Sequence, residues 1–293
     1  MTDFSSTAGF DSADIIAVVG ATGQQGGATV RALLAAGATV RGLTRNVNGE
    51  AAQALADAGV EVVAADLNVP ESVRAAFGGA TKVFAMTTPA GADGVEGEIA
   101  QGRVIADAAV AAGVSFLLFS SVGGAERSTG IPHFESKRRV EEYIGTLEIA
   151  SAFVRPVFFL DNLLSTAVAD GEIVVRLPYP DGHPLQMIAV DDIGRVAAAI
   201  LLDPSRVDGA VEIAGDELTG TQIAAVFGRQ AGLPARYEAL PIAVLAGNDD
   251  MSRMFEWFAG PTAYRADFAL TRSLDPEVLD TAAWLAQSAW NRA

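Results

Sequence analysis

Apolar positions along this chain come in short runs, often interrupted by Gly or a charged residue, separated by segments of helical period. The first run, residues 15–19 (Ile-Ile-Ala-Val-Val), has no polar interruption and predicts a strand buried on both faces. Residues 39–43, 60–65, 81–86, 115–120 and 150–154 are further candidate strands, some interrupted by Gly or a charged residue. Between them, the patterns over 28–36, 50–58, 70–77, 96–112 and 134–146 predict helices. Gly37, Gly59 and Gly113 each stand between a helix and the next strand, where a helix C-terminus favours glycine. This alternation predicts the α/β class: a doubly wound parallel sheet with right-handed crossovers and a ligand outside the strands' carboxyl ends.

After residue 157 the rhythm breaks. A proline-rich turn at 177–184 precedes a strand at 186–190 and a helix at 191–202 with Asp191 as its N-cap. A second strand–helix pair follows, around Val211 and over 219–231, and aromatic-rich helices are expected at 251–258 and 278–290. The resulting division is a flexible tail over 1–12, a dinucleotide-binding domain over 13–156, and a smaller α/β lobe over 157–293. The lobe is expected to interleave with the last sheet strands and close over the ligand.

Composition narrows the function classes. No apolar run approaches the roughly 18 residues that span a bilayer, and the first twelve residues carry no basic segment of a secretory signal, so neither membrane insertion nor secretion is expected. The 293 residues include no cysteine, which excludes disulfides and thiolate chemistry and fits a cytoplasmic protein. Thirty-six acids against 20 bases leave a net charge of −16, a surface that repels nucleic-acid phosphates and anionic membranes. The two histidines, His133 and His183, lack ligand spacing, so no metal centre is expected.

The chemistry concentrates in Gly20-Ala-Thr-Gly23-Gln-Gln-Gly26, between the first strand and the first helix. Glycines there serve a tight turn, close approach of backbone to a phosphate, and close packing of helix on strand. The helix N-terminus adds unpaired N–H groups and the positive dipole end. Strand before, helix after and a βαβ repeat downstream make this a dinucleotide-binding turn of Rossmann type, with Thr22, Gln24 and Gln25 completing the cradle. The second strand lacks the terminal acid that grips the ribose hydroxyls of NAD and ends in Thr44-Arg45. A guanidinium there suits a 2′-phosphate, so NADP(H) is expected over NAD(H). Arg41 reads as a surface residue. Asp66 and Leu67, ending the third strand, are placed for the adenine amino group and ring; Thr87 and Thr88, ending the fourth, for the pyrophosphate and ribose.

With these residues in place, the chain resembles the NmrA-like family of atypical short-chain dehydrogenases/reductases. The resemblance covers most of the chain. It rests on the glycine segment, Thr44-Arg45, Ala65-Asp66-Leu67, Gln101-Gly-Arg-Val-Ile-Ala-Asp107, His133-Phe-Glu-Ser-Lys137 with Val140-Glu-Glu-Tyr143, Val154 to Leu163, and Val190-Asp-Asp-Ile-Gly194. It implies a Rossmann domain, NADP binding and a C-terminal lobe. It also implies that a member is either a redox sensor or an enzyme.

One departure bears on catalysis. Active short-chain dehydrogenases carry Tyr-x-x-x-Lys on one helix face, where the lysine lowers the tyrosine pKa and binds the nicotinamide ribose. Here Lys137 is present as the expected ribose ligand, but His133 stands where the tyrosine belongs. Tyr143, six residues past Lys137, lies on another face. His133 is either a proton donor or a polar helix-start residue. Ser120, with Ser121 beside it, ends the fifth strand where the enzymes keep a substrate-binding serine; Phe159 either covers the nicotinamide or packs in the core. The missing tyrosine favours an NADP(H)-responsive regulator with a protein partner. The alternative is an NADPH-dependent reductase of quinones or related carbonyl compounds, for which Phe255, Trp257, Phe258 and Tyr264 form either a flat apolar pocket or a buried helix face.

Overall fold

The computed structural model of the chain describes residues 14–261 and 263–290. The tail expected over 1–12 lies outside them. The first half alternates β1 (Ile15–Val18), α1 (Gln24–Ala35), β2 (Thr39–Thr44), α2 (Glu50–Asp57), β3 (Glu61–Ala64), α3 (Pro70–Phe77), β4 (Ala80–Met86), α4 (Gly94–Ala111), β5 (Phe116–Ser120), α5 (Pro132–Ile144) and β6 (Ala150–Pro156). The second half holds β7 (Phe158–Phe159), β8 (Ala167–Ala169), β9 (Glu172–Leu177), β10 (Leu185–Ile188), α6 (Val190–Leu202), β11 (Ala210–Ile213), β12 (Asp216–Leu218), α7 (Gly220–Ala231), β13 (Ala235–Ala239), α8 (Asp249–Phe258), α9 (Phe268–Leu274) and α10 (Thr281–Gln287).

The main sheet has seven parallel strands in the order β11-β6-β5-β4-β1-β2-β3. The inner strands β1 and β5 are apolar on both faces because helices cover both. In β5, Phe116 and Leu118 join the core beneath α1 and α6, while Leu117 and Phe119 join the core beneath α3, α4 and α5. The chain runs outward from β1 to β3, then crosses back to β4. The crevice at that reversal, between β1 and β4, is where open α/β sheets take ligands. This is the α/β, Rossmann-type doubly wound sheet that the pattern predicts.

Helix α1 begins at Gln24, four residues ahead of the expected 28, so Gly26 and Gly27 lie inside it. The second half also supplies the main core: β11 extends the sheet beside β6, and α6 packs against α1. The remaining elements build two three-stranded sheets, β12-β10-β7 and β13-β9-β8; α7 packs on the second of these and α10 on α7. Their strands of two to six residues are too short for a periodic signal, and most are absent from the expected elements. Asp191 is not the N-cap of α6. That position is Ala189, and Asp161, reaching from the segment after β7, accepts the Val190 N–H at 2.9 Å. Burial pushes the Asp161 carboxyl up. Asp191 instead pairs with Arg31 on α1 at 2.5 Å. No described helix is long and apolar enough to cross a membrane.

Candidate functional site

The turn after β1 shows why glycine recurs there. Gly20 has φ +66°, and a Cβ on it would sit 3.4 Å from Met86 Sδ. Its carbonyl accepts the Gly23 N–H at 2.8 Å. Gly26, in the first turn of α1, lies so close to that carbonyl that a Cβ would come within 2.2 Å of the oxygen. Only glycine lets the helix approach the strand this far. Gly23 is the N-cap of α1, offers no side-chain acceptor, and is followed by no acid in the first turn. The first amides and the positive end of the helix therefore remain available to an anion.

A cavity of about 560 Å³ opens beside this turn, within the range of small-molecule sites. Gly20, Thr22 and Gly23 form one wall, Arg45 at the end of β2 a second, Asp66 and Leu67 a third, and Thr87 and Thr88 the floor at the end of β4. Eight of the expected ligand-binding residues thus meet in one space. Arg45 is exposed at the rim and makes no ion pair or hydrogen bond with another described residue. Arg41 is not the solvated residue expected: its side chain is 11% exposed, and it binds Glu61 at 2.9 Å and the carbonyls of Ala76 and Gly78. Of Arg41 on β2 and Arg45 just after it, only Arg45 is unengaged among the described residues.

The other expected residues sit behind this cavity or away from it. Gln24, Gln25 and Gly26 belong to α1 and do not line it. Ser120 donates to Gln25 Oε1 at 2.6 Å, joining the end of β5 to α1. Lys137 is buried on α5 with its Nζ 2.9 Å from Glu98 Oε1, 2.5 Å from the Thr87 carbonyl and 3.2 Å from Thr87 Oγ1. Burial pushes its pKa down, and the Glu98 carboxylate opposes that. His133 Nδ1 lies 2.5 Å from Asp250 Oδ1 on α8, tying α5 to the second half of the chain. Phe159 is partly buried against the main core. Tyr143 donates to Asp107 at 2.7 Å, so it faces α4 and not Lys137.

The aromatic residues of the second half form a packed cluster. Phe255 and Phe258 are buried. Phe258 meets Phe158, Tyr179 and Phe255 edge to face at centroid distances of 6.1, 6.5 and 5.5 Å. Trp257 meets Tyr264 at 5.3 Å and Phe134 of α5 at 5.5 Å. Of the two alternatives, the buried helix face is the one adopted.

Several residues of the site have no counterpart in the expectations. Thr44, Asn46, Asn68, Met86 and Gln101 line the cavity. Gln101 donates to Asn68 Oδ1 at 3.1 Å, bridging α4 to the loop after β3. Glu98 and Asp250, which hold Lys137 and His133, were also missed. Gln101 carries a signal, the Gln-Gly-Arg segment; Glu98, one of three acids on α4 with Glu96 and Asp107, carries none.

Comparisons with known proteins agree with this architecture. The NmrA-like family model matches residues 12–287. An NAD(P)H azoreductase of Xenophilus azovorans is 34% identical over 236 residues, covering 78% of each chain. Two solved structures share the fold. One is NmrA, a negative transcriptional regulator, in complex with NAD (TM-score 0.81, 23% identity, 96% of each chain covered). The other is the NADPH-dependent quinone oxidoreductase QOR2 of Escherichia coli complexed with NADPH (TM-score 0.79, 23% identity, 93% of this chain and 99% of that one). With the matched model spanning nearly its whole length, this chain belongs to the NmrA-like family.

Proposed function

We propose that this protein binds NADP(H) between β1, β2 and β4 and acts as an NADPH-dependent reductase of small conjugated acceptors such as quinones or azo compounds. One observation carries the binding half: the glycine turn, including Gly23 at the uncapped N-cap of α1, and the unengaged Arg45 line one cavity. The free amides at the start of α1, after Gly23, would hold the pyrophosphate, Arg45 the 2′-phosphate, and Asp66 with Leu67 the adenine. Thr87 and Thr88 would support the backbone between them. The composition, free of cysteine, fits a cytoplasmic setting.

The reductase half draws on the azoreductase relative and on the division of labour in such enzymes. Bound NADPH supplies the hydride, so the protein need only bind, orient and exclude water. That removes the need for the missing tyrosine. Asp250 holds the His133 ring through Nδ1, which leaves Nε2 as the nitrogen able to exchange a proton.

A regulator is the second reading, favoured by a separate observation. Ser120, Lys137 and His133 each already bond another protein group. A regulator requires that oxidised and reduced cofactor, or bound and free protein, differ in affinity for a partner. NADPH oxidation by the purified protein against quinones, azo dyes and aldehydes, with NADPH affinity measured in parallel, separates the two. Turnover above the uncatalysed rate supports the reductase; tight binding without turnover supports the regulator. Absence of NADPH binding overturns both.

A further inference from the structure

Asn68 and Gln101 meet across one end of the cavity. Gln101 lies on α4 three residues after Glu98, whose Oε1 accepts the Thr87 hydroxyl at 3.1 Å, just past the end of β4. Residues three apart share a helix face. Gln101 therefore points to the same crevice, where it lines the cavity with Asp66, Leu67 and Asn68. Its Nε2 donates to Asn68 Oδ1 at 3.1 Å, the one hydrogen bond that either side-chain amide makes with another described residue. A carboxamide carries two N–H groups and a carbonyl oxygen. The bridge thus leaves Gln101 Oε1 as a free acceptor and Asn68 Nδ2 as a free donor. The loop beneath Asn68 is fixed: the Asn68 N–H donates to Asp66 Oδ1 at 2.9 Å, and the Asp66 N–H to the Ser72 hydroxyl at 3.0 Å. Asp66 Oδ2 has no partner among the described residues. This end of the cavity presents two acceptors, on Asp66 and Gln101, and one donor, on Asn68.

We infer that Gln101 and Asn68 are specificity residues that read the amino edge of the purine, so that the site selects adenine over a 6-oxopurine. This rests on the NADP(H) reading and deepens it. Adenine matches the set group for group: its 6-amino nitrogen carries two N–H donors, and the ring nitrogen beside it is an acceptor. The two donors suit Asp66 Oδ2 and Gln101 Oε1, and the ring nitrogen suits Asn68 Nδ2. A 6-oxopurine carries a carbonyl oxygen where adenine has the amino group. That oxygen would meet the same two acceptors, so the wrong base loses two hydrogen bonds and gains a repulsion. The amide bridge joins α4 to the loop after β3 and holds both readers in place before any ligand arrives.

The test compares the Kd of NADPH with that of deamino-NADPH, in which hypoxanthine replaces adenine, for wild type, Gln101→Leu and Asn68→Ala. Wild type should prefer NADPH by about a hundredfold, the upper range of one paired base contact. Gln101→Leu should weaken NADPH by about tenfold, the scale of one lost hydrogen bond, and leave deamino-NADPH unchanged, so the preference falls to about tenfold. Asn68→Ala should weaken NADPH by a similar factor. Asn68 is exposed and Gln101 half-buried, so both variants should fold with a Tm close to that of wild type. A full hundredfold preference retained in Gln101→Leu would assign base selection to Asp66 alone and overturn the inference. Unchanged NADPH affinity in both variants would reduce the bridge to a contact between α4 and the loop, and overturn it equally. Wild-type protein that binds the two dinucleotides equally would overturn the inference while leaving the NADP(H) reading intact. Wild-type protein that binds neither would overturn that reading and the inference with it.

Discussion

The two halves of the crevice at the strands' carboxyl ends are built in opposite ways. Around β1, β2 and β4 the polar groups face open space: the start of α1 is uncapped, and Arg45 has no partner among the described residues. Around β5 and α5 nearly every functional side chain is bonded to another: Ser120 to Gln25, Lys137 to Glu98 and Thr87, His133 to Asp250. The first half is ready to receive an anion without rearrangement. The second is held rigid, and a ligand reaching it competes with protein–protein hydrogen bonds. The contrast teaches where binding energy and where specificity should reside. Affinity belongs to the open half; any chemistry must be compatible with a half whose side chains are already spoken for.

The sharpest way to break this comparison is at the open half. Gly23→Asp places a carboxylate against the pyrophosphate, and like charges in contact cost several kcal/mol, so NADPH affinity should fall by at least about a hundredfold. Fluorescence titration checks this, and an unchanged Kd would mean the nucleotide binds elsewhere. Arg45→Ala comes next. Loss of paired, charge-assisted bonds should weaken NADPH by roughly tenfold to a hundredfold and leave NADH alone. Equal losses for the two nucleotides would remove the 2′-phosphate from Arg45.

At the engaged half the expected effect is smaller. His133→Ala should change any reductase rate by only a few-fold, because the ring is held by Asp250 as part of the α5–α8 contact. A loss of about 10²-fold or more, the scale of general acid catalysis, would make it the proton donor. Asp181 supplies a control remote from both halves. Bonds from the Thr221 hydroxyl and N–H, at 2.5 and 2.9 Å, hold its carboxyl below the ordinary range. Its folded pKa is thus depressed, so its small stabilisation is present above the usual carboxylate pKa and lost as pH falls through the folded value. The Tm difference between wild type and Asp181→Asn should shrink with acidification while ligand affinity at neutral pH stays unchanged.

Legibility divides along the same line. The open half is readable because its parts are local: strand, glycine turn and helix start lie within a dozen residues, and Arg45, Asp66 and Thr87 each end a predicted strand. Parallel strands then bring those ends together without further information. The engaged half is held by pairs distant in sequence, 95 residues apart for Ser120 and Gln25 and 117 for His133 and Asp250. No periodicity marks such partners. Lys137 illustrates the limit. The i, i+4 comparison with His133 located it on the correct helix, yet its contacts depend on Glu98, which α4 presents only once packed against α5. The start of α1 was misplaced for a related reason: Gly26 and Gly27 are poor helix formers in isolation, and close packing on Gly20 overrides that preference. After β6, only β10 and β11 are foreshadowed by a pattern; β7, β8, β9, β12 and β13 are not.

Calorimetric titration of NADPH, and separately NADH, into the purified wild-type protein tests the central claim most directly. The account predicts saturable binding of one nucleotide per chain, tighter for NADPH than for NADH. No saturable heat with either nucleotide would contradict it.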